Sequence, residues 1–330
     1  MRSMNQLGND LYTGKSAVPF VGKRRVWFII ALALVAVSAA MPFLRGVEWS
    51  IEFTGGSQFT ISNPSTTDQL IGSDTVSDTI PGAIATVTTV GGSDIRVQTS
   101  ELDNAQTQDV TKALADAYGV ETSAVTSSFI GPSWGEEVTK QSLWGLAIFL
   151  ALTFIILMVY FRTWKMSVAA IIGLVDVLVI TIGVYSLSGF EISPAAVIGF
   201  LTILAYSLYD TTVVFDKIRE NTHEDGENSE RTFGESVNLG VNQTLVRSIN
   251  TSVVAALPVA AILFIGALWL GADTLSDISL AIFVGILVAT YSTLFVAAPL
   301  YSLMRERESA IRQRDARTLE ARSRDTRVAN

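Results

Sequence analysis

The sequence predicts a polytopic α-helical membrane protein, with six transmembrane helices and a small α+β domain between the first and second. The 330-residue chain is 49% hydrophobic and 16% charged, with a mean hydropathy of +0.41, which is too apolar for an ordinary soluble domain. Six stretches reach the roughly 20 apolar residues that a helix needs to cross a bilayer. They are Val26–Leu44, Leu143–Phe161, Met166–Leu187, Ile192–Val214, Ser248–Leu270 and Ile278–Leu303.

The first span is predicted to be an uncleaved membrane anchor that follows a cytoplasmic segment, residues 1–25. A cleaved signal peptide is the alternative, because Lys23, Arg24 and Arg25 precede the span and Ser38–Ala40 resembles a cleavage site. Signal peptides have an apolar core of about 7–15 residues. The apolar core here is longer, which favours the anchor.

Basic residues at the ends of the spans predict the orientation. Arg162 and Lys165 fill the turn between spans two and three, and Arg305 and Arg307 follow span six. Loops rich in Lys and Arg stay in the cytoplasm. The sequence therefore predicts a multi-pass protein of the cytoplasmic membrane, with both termini inside and an outer segment, residues 45–141, on the other side.

The outer segment has the pattern of a folded domain. Its apolar residues alternate with polar ones in several short runs, which is typical of half-buried strands. The predicted elements are strands over 47–53 and 58–61, a hairpin over 83–100 with its turn at 91–94, a helix from Asp103 or Asn104 to Tyr118, and a strand near 127–130. This order favours a small ferredoxin-like sheet with helices on one face.

The other five spans form a predicted membrane domain over 142–303, with a cytoplasmic loop at 217–246. In that loop Thr232 and Glu235 have capping-box spacing, and the apolar residues after them predict a short amphipathic helix on the inner membrane surface that runs into span five. An ordinary loop is the alternative. The tail over 304–330 mixes arginines with acidic residues, which favours a solvated helix over a lipid-binding arm.

Composition excludes several classes of function. A net charge of −8 leaves no basic surface for nucleic acid. The chain has no cysteine, and its one histidine, His223, lies in a polar loop, so neither a thiolate metal site nor a disulfide is expected. No nucleophile–base pair, phosphate loop or metal spacing is present. The sequence therefore predicts no enzyme activity and no cofactor.

Three charged residues interrupt the apolar spans. Asp176 lies near the middle of span three, Asp210 in the inner half of span four and Arg247 at the inner end of span five. A charged side chain at the centre of a membrane helix costs at least about 2.5–3.5 kcal/mol. Such residues therefore turn towards the protein interior and are candidates for function.

Asp210 and Arg247 are predicted to lie at similar depth. Asp210 stands about 9 Å above Asp216 along a helix, and Arg247 roughly 6–8 Å above the polar residues that precede it. The polar residues that share their faces by helical spacing are Tyr206 and Ser207 on span four and Asn250 and Thr251 on span five. The sequence thus predicts a polar path between these two spans.

Structural roles are the alternatives for all three charges. Arg247 is also explained as an anchor that reaches the membrane interface, and Asp176 as a hydrogen-bonding group between helices. Asp210 is either a structural partner of nearby polar groups or an acid that exchanges a proton with water. The second role is what a proton-driven machine requires.

Several segments resemble the SecD/SecF family of protein-export membrane proteins, within the resistance-nodulation-division superfamily. The run SLYDTTVVFDKIREN resembles the fourth-helix signature of the SecF branch, although Tyr209 stands where asparagine is usual. The other similar segments, in chain order, are NDLYTGKSAVPFVGKRR, IEFTGG, GPSWGEEV, LVDVLVITIGVYSL and VNQTLVRSINTS. The resemblance extends from about Asn9 to Leu303.

The resemblance implies a subunit that uses the proton-motive force to help draw exported polypeptides from the Sec channel. Asp210 and Arg247 match the family residues that carry proton flow, and Asp176 matches a third-helix aspartate of less defined role. The implied partners are a six-helix SecD subunit, the SecY/SecE/SecG channel, translocating preproteins and membrane lipid. Protons are the coupling ion, and no cofactor or metal is implied.

Two other functions remain open at the level of the sequence. One is half of a proton-driven exporter of lipids or small molecules, although such proteins normally carry a second six-helix set and a second outer domain. The other is a non-transporting assembly subunit whose buried charges only hold helices together. The effect of removing the Asp210 carboxylate on transport, in a complex that still assembles, distinguishes these possibilities.

Overall fold

The structure is a computed structural model that describes residues 4–90, 93–224, 230–267 and 273–328. Within these residues six helices are long and apolar enough to cross a membrane, as the sequence predicts. These spans are Arg24–Arg45, Pro132–Phe161, Trp164–Ser188, Pro194–His223, Phe233–Ile265 and Asp277–Glu306. The predicted end of span five, Leu270, lies outside the described residues.

Spans three, four and six form the centre of the helix bundle. In the most apolar stretch of each helix, 56% of residues are buried in spans three and six and 44% in span four, against 11% in spans one and two. Small residues allow close packing, as in other membrane bundles. A Cβ atom at Gly285 of span six would lie only 2.2 Å from Ile203 of span four.

The outer domain, residues 56–130, has the predicted ferredoxin-like fold. Its strands are β1 (Gly56–Ile61), β2 (Ala85–Val90), β3 (Asp94–Thr99) and β4 (Val125–Ile130). They form one antiparallel sheet in the order β2-β3-β1-β4, and helices Gln69–Thr79 and Asn104–Tyr118 follow β1 and β3. The predicted hairpin is confirmed, while residues 91 and 92 of its turn lie outside the described residues.

The helix predicted to end at Tyr118 is confirmed at both ends. Asp103 accepts from the backbone of Gln106, whose side chain accepts from the Asp103 backbone, so a complete capping box starts the helix. Gly119 ends it in the left-handed conformation, with φ of 65°. The buried side of this helix packs on the sheet, and Tyr118 is fully buried.

The strand predicted over 47–53 is wrong. Residues Ile51–Thr54 form a short helical turn, capped by the Ser50 side chain, and Gly55 and Gly56 then redirect the chain with φ of 71° and 119°. Alternation of apolar residues did not distinguish this turn from a strand. The helix Gln69–Thr79 was missed, because its many Ser, Thr, Asp and Gly residues have low helix propensity.

The helix of span two begins at Pro132, within the outer segment predicted over 45–141. The predicted amphipathic helix at the end of the loop between spans four and five is also part of a longer element. It opens one continuous helix, Phe233–Ala261, with the predicted capping box at Thr232, so the helix runs into span five as predicted and the alternative of an ordinary loop is wrong there. The middle of the loop, residues 225–229, lies outside the described residues.

The tail after span six forms a helix, Ser309–Val328, that packs back on the start of span five. Asp315 accepts a hydrogen bond of 2.8 Å from the Phe233 backbone, and Arg322 pairs with Glu235 at 2.6 Å. The predicted helix is therefore correct. One of its faces contacts the protein instead of solvent.

The outer domain is joined to the membrane domain by a buried ion pair. Arg96 of β3 lies 2.8 Å from Glu191, in the loop between spans three and four, and each side chain is 8% exposed. Gln98 donates to the same carboxylate at 2.7 Å. Burial raises the pKa of Glu191 above its ordinary value, and the Arg96 guanidinium opposes that rise.

We expect Arg96→Ala to loosen the outer domain. Removing one partner of a buried ion pair typically costs about 3–5 kcal/mol, because the other charge stays buried and uncompensated. Limited proteolysis of the outer domain should therefore be faster in the variant. Since Arg96 no longer opposes the rise in pKa of Glu191, the defect should be smallest near the ordinary glutamate value of 4.5 and grow as the pH rises.

The matched control is Arg96→Gln combined with Glu191→Gln, which leaves no buried charge and keeps hydrogen-bonding amides. Its cleavage rate should lie between those of the parent and Arg96→Ala, with little dependence on pH. Equal cleavage of parent and Arg96→Ala at neutral pH would show that this ion pair does not hold the domain.

Candidate functional site

Asp210 is buried in span four, with 6% of its surface exposed. The Ser248 hydroxyl, on span five, donates to its Oδ1 atom at 2.7 Å. The Oδ2 atom is also buried and accepts no hydrogen bond from any residue that the structure describes. One carboxyl oxygen is therefore held by a neighbouring helix, while the other has no protein donor within the described chain.

Arg247 does not pair directly with Asp210 among the described residues. Its side chain is exposed, and its Nη2 atom donates to the Tyr209 hydroxyl at 3.2 Å. Successive residues of a helix are about 100° apart around its axis. Ser248 therefore faces the buried Asp210, and Arg247 lies on the exposed surface of the helix bundle beside Tyr209.

Polar contacts link spans four and five, but they involve other residue pairs than the sequence indicated. Ser207 is buried at 1% exposure, and the Tyr206 hydroxyl lies 3.5 Å from Ser252 on span five. Thr251 donates to the backbone carbonyl of its own helix, at Arg247, and so does not face span four through that bond. Asn250 is exposed.

Span six supplies polar groups that sequence reasoning missed. Thr293 and Thr211, the residue after Asp210, form a hydroxyl pair at 2.9 Å. Thr290 shares a hydrogen bond with Ser252. A sequence signal was available only on span five, where Thr244, Ser248 and Ser252 recur every four residues and so share one face of the helix.

Asp176 lies on the other side of the same segment of span six. It is 5% exposed, and the Ser292 hydroxyl lies beside its carboxyl group and donates to the Gly173 carbonyl at 3.0 Å. Span six changes from α-helix to a π-helix over Ser292–Ala297. Such π-helical turns occur often at functional sites. This irregular segment therefore contacts both sides, through Ser292 beside Asp176 and through Thr293 beside Thr211.

The arrangement is suited to moving protons. A carboxyl group can take up and release a proton, and hydroxyl groups both donate and accept hydrogen bonds. Asp210 is linked to span five by Ser248, and its neighbour Thr211 is linked to span six by Thr293. No group of three or more metal-binding side chains occurs among the residues that the structure describes.

Comparisons with known proteins agree in the kind of protein that they match. A family model described as "Protein export membrane protein SecD/SecF, C-terminal" matches residues 109–307. The protein translocase subunit SecF of Streptomyces coelicolor is 38% identical over 98% of this chain and 86% of its own length. SecF of Mycobacterium tuberculosis H37Rv is 39% identical over 95% of this chain and 73% of its own length.

Solved structures extend the similarity to the fold. A crystal structure of SecDF, a translocon-associated membrane protein from Thermus thermophilus, matches with a TM-score of 0.76 at 31% identity. The match covers 88% of this chain and 39% of the SecDF chain. A second SecDF structure, in a super-membrane-facing form, matches with a TM-score of 0.62.

Proposed function

Because this chain belongs to the SecD/SecF family of protein-export membrane proteins, we propose that it works in the Sec machinery as a proton-driven SecF-type subunit. In this role it uses the proton-motive force to promote late steps of polypeptide translocation across the cytoplasmic membrane. The observation that carries the proposal is the buried Asp210 carboxyl group, which Ser248 holds between spans four and five.

An ionisable group inside a membrane bundle costs free energy, so its presence points to a function. A purely structural acid would be expected to have both carboxyl oxygens satisfied by neighbouring helices. The Oδ2 atom of Asp210 accepts no hydrogen bond from the described residues. This supports a group that gains and loses a proton during work, with protons as the coupling ion and no cofactor.

A six-helix SecD subunit is the proposed partner. The match covers only 39% of the similar Thermus SecDF chain, and a separate SecD subunit would correspond to the rest of that chain. Arg247 and Asn250 are exposed beside Tyr209, which is 56% exposed, at a depth where lipid would otherwise contact them. A partner helix set that covers this surface would shield these polar groups from lipid. The SecY/SecE/SecG channel and translocating preproteins complete the proposed partners.

The proposed orientation has the outer domain outside the cytoplasm and both termini inside. The chain contains no cysteine, so single cysteines introduced at the exposed positions Ser93 and Ser309 report sidedness. In intact cells an impermeant maleimide should label Ser93→Cys and spare Ser309→Cys. After permeabilisation both should be labelled. Labelling of Ser309→Cys in intact cells would overturn the orientation.

Translocation into inverted membrane vesicles tests the function. Vesicles with the parent chain and its partner should move a preprotein by an ATP-driven early step and an uncoupler-sensitive late step. Vesicles without this chain should lose the uncoupler-sensitive part and keep the early step. Unchanged uncoupler-sensitive translocation would contradict the proposal and favour a non-transporting assembly subunit.

A further inference from the structure

A cavity of about 880 Å³ lies at the predicted cytoplasmic end of the membrane domain. The N-terminal segment, the first turns of spans one and five, the end of span six and the tail helix surround it. It includes none of the residues of the Asp210 site. Its chemistry is therefore separate from the proposed proton path.

The lining of the cavity is strongly basic. It includes five basic residues and two acidic ones, and both acids already have partners. Glu306 accepts from Arg24 at 2.6 Å, and Glu235 pairs with Arg322. Lys23 and Arg25 are exposed and form no ion pair among the described residues. Two cations are thus left to attract an anion.

The wall of the cavity is a defined part of the fold. The side chain of Asn242, on span five, accepts from the Val18 backbone N–H at 2.7 Å and donates to the Val18 carbonyl at 3.0 Å. Asn238 accepts from the Val21 backbone N–H at 3.1 Å. These amides hold the N-terminal segment in place and so fix Lys23 and Arg25 at the start of span one.

An apolar, uncovered helix face continues directly from these cations. Val26 is 51% exposed, and Ile29 and Leu32, along the same span, are 68% and 70% exposed. A soluble anion would make no use of that face. A phospholipid would place its phosphate beside Lys23 and Arg25 and its acyl chains along span one.

We infer that this cavity binds the phosphate headgroup of an anionic phospholipid from the inner leaflet. Basic pockets beside transmembrane helices on the cytoplasmic side recognise such headgroups, and each Lys or Arg near an anionic surface adds to the affinity. The positive end of the span-one helix dipole also points at the cavity. A zwitterionic lipid has the same acyl chains but no net charge, so it should bind more weakly.

Native mass spectrometry of the complex between this chain and its six-helix partner measures the binding of single lipids. The parent complex should bind phosphatidylglycerol in preference to phosphatidylcholine. The double variant Lys23→Gln/Arg25→Gln should lose on the order of tenfold in phosphatidylglycerol affinity, because two cations are removed. The charge-preserving variant Lys23→Arg/Arg25→Lys should bind as the parent does, provided that both variants assemble with the partner.

A matched control removes the same charge elsewhere on the cytoplasmic side. Lys15 and Arg307 are exposed and do not line the cavity, so Lys15→Gln/Arg307→Gln should keep the parent affinity. An equal loss in this control, or no loss in Lys23→Gln/Arg25→Gln, would overturn the inference. Competition by inorganic phosphate or glycerol phosphate as strong as that by the lipid would show a site for soluble phosphate instead.

Discussion

Asp210→Asn is expected to assemble with the partner subunit and to lose the uncoupler-sensitive part of preprotein export. Asparagine has nearly the same shape and still accepts a hydrogen bond from Ser248, so the contact between spans four and five should persist. It cannot take up or release a proton. Export should therefore fall to the level of parent vesicles treated with uncoupler, at equal membrane abundance of the complex.

Two further variants define the cause of that loss. Asp210→Glu keeps an ionisable carboxyl and should be the least damaging replacement, although its extra methylene shifts the group. Asp78→Asn makes the same chemical change at an exposed position of the outer domain and should export as the parent does. If Asp210 is structural, Asp210→Asn should retain most of its export, because interhelical polar contacts average only about 0.6 kcal/mol.

Arg247→Ala is expected to give the second largest loss of proton-driven export. Arg247 is adjacent in sequence to Ser248, which donates a hydrogen bond to Asp210. Its guanidinium contacts the hydroxyl group of Tyr209, the residue before Asp210. Its positive charge favours the ionised carboxylate, so its removal should hinder proton release. Export into inverted vesicles should fall by roughly tenfold or more, as expected when the one cation beside an essential carboxyl group is lost.

Two further variants distinguish the effect of the Arg247 charge from the effect of its hydrogen bond to Tyr209. Arg247→Lys keeps the charge but loses the planar fork, so partial export is expected. Tyr209→Phe removes only the hydroxyl group that Arg247 contacts, and a mild effect is expected if charge is what matters. Full export by Arg247→Ala would mean that this residue is only an anchor at the membrane interface.

Local signals in the sequence predicted elements well where caps and breakers frame them. Asp103 and Gly119 mark both ends of one helix of the outer domain, and Thr232 marks the start of the helix of span five. The period-two pattern over 47–53 was misleading, because Ile51–Thr54 form a helical turn capped by Ser50, and Gly55 and Gly56, both with positive φ, redirect the chain after it. Backbone conformation at those glycines was not visible in the hydrophobic pattern.

Contacts between helices were the least predictable part of the site. Asp210 and Arg247 were predicted to meet because their estimated depths in the membrane are similar. Depth does not determine how each helix is rotated about its own axis. Ser248 contacts Asp210, whereas Arg247 was expected to do so, and the two are about 100° apart around the axis of span five. The Thr211–Thr293 pair depends on the π-helical segment of span six, which no sequence pattern marked.

Proton flux in proteoliposomes tests the central claim most directly. The purified complex of this chain with its six-helix partner is reconstituted with a pH-sensitive dye inside, and a potassium diffusion potential supplies the driving force. We predict that the parent complex conducts protons and that Asp210→Asn, at equal protein content and orientation, shows no flux above protein-free liposomes. Parent-level flux through Asp210→Asn would contradict the claim that Asp210 carries the proton, and Asp176 would become the next residue to test.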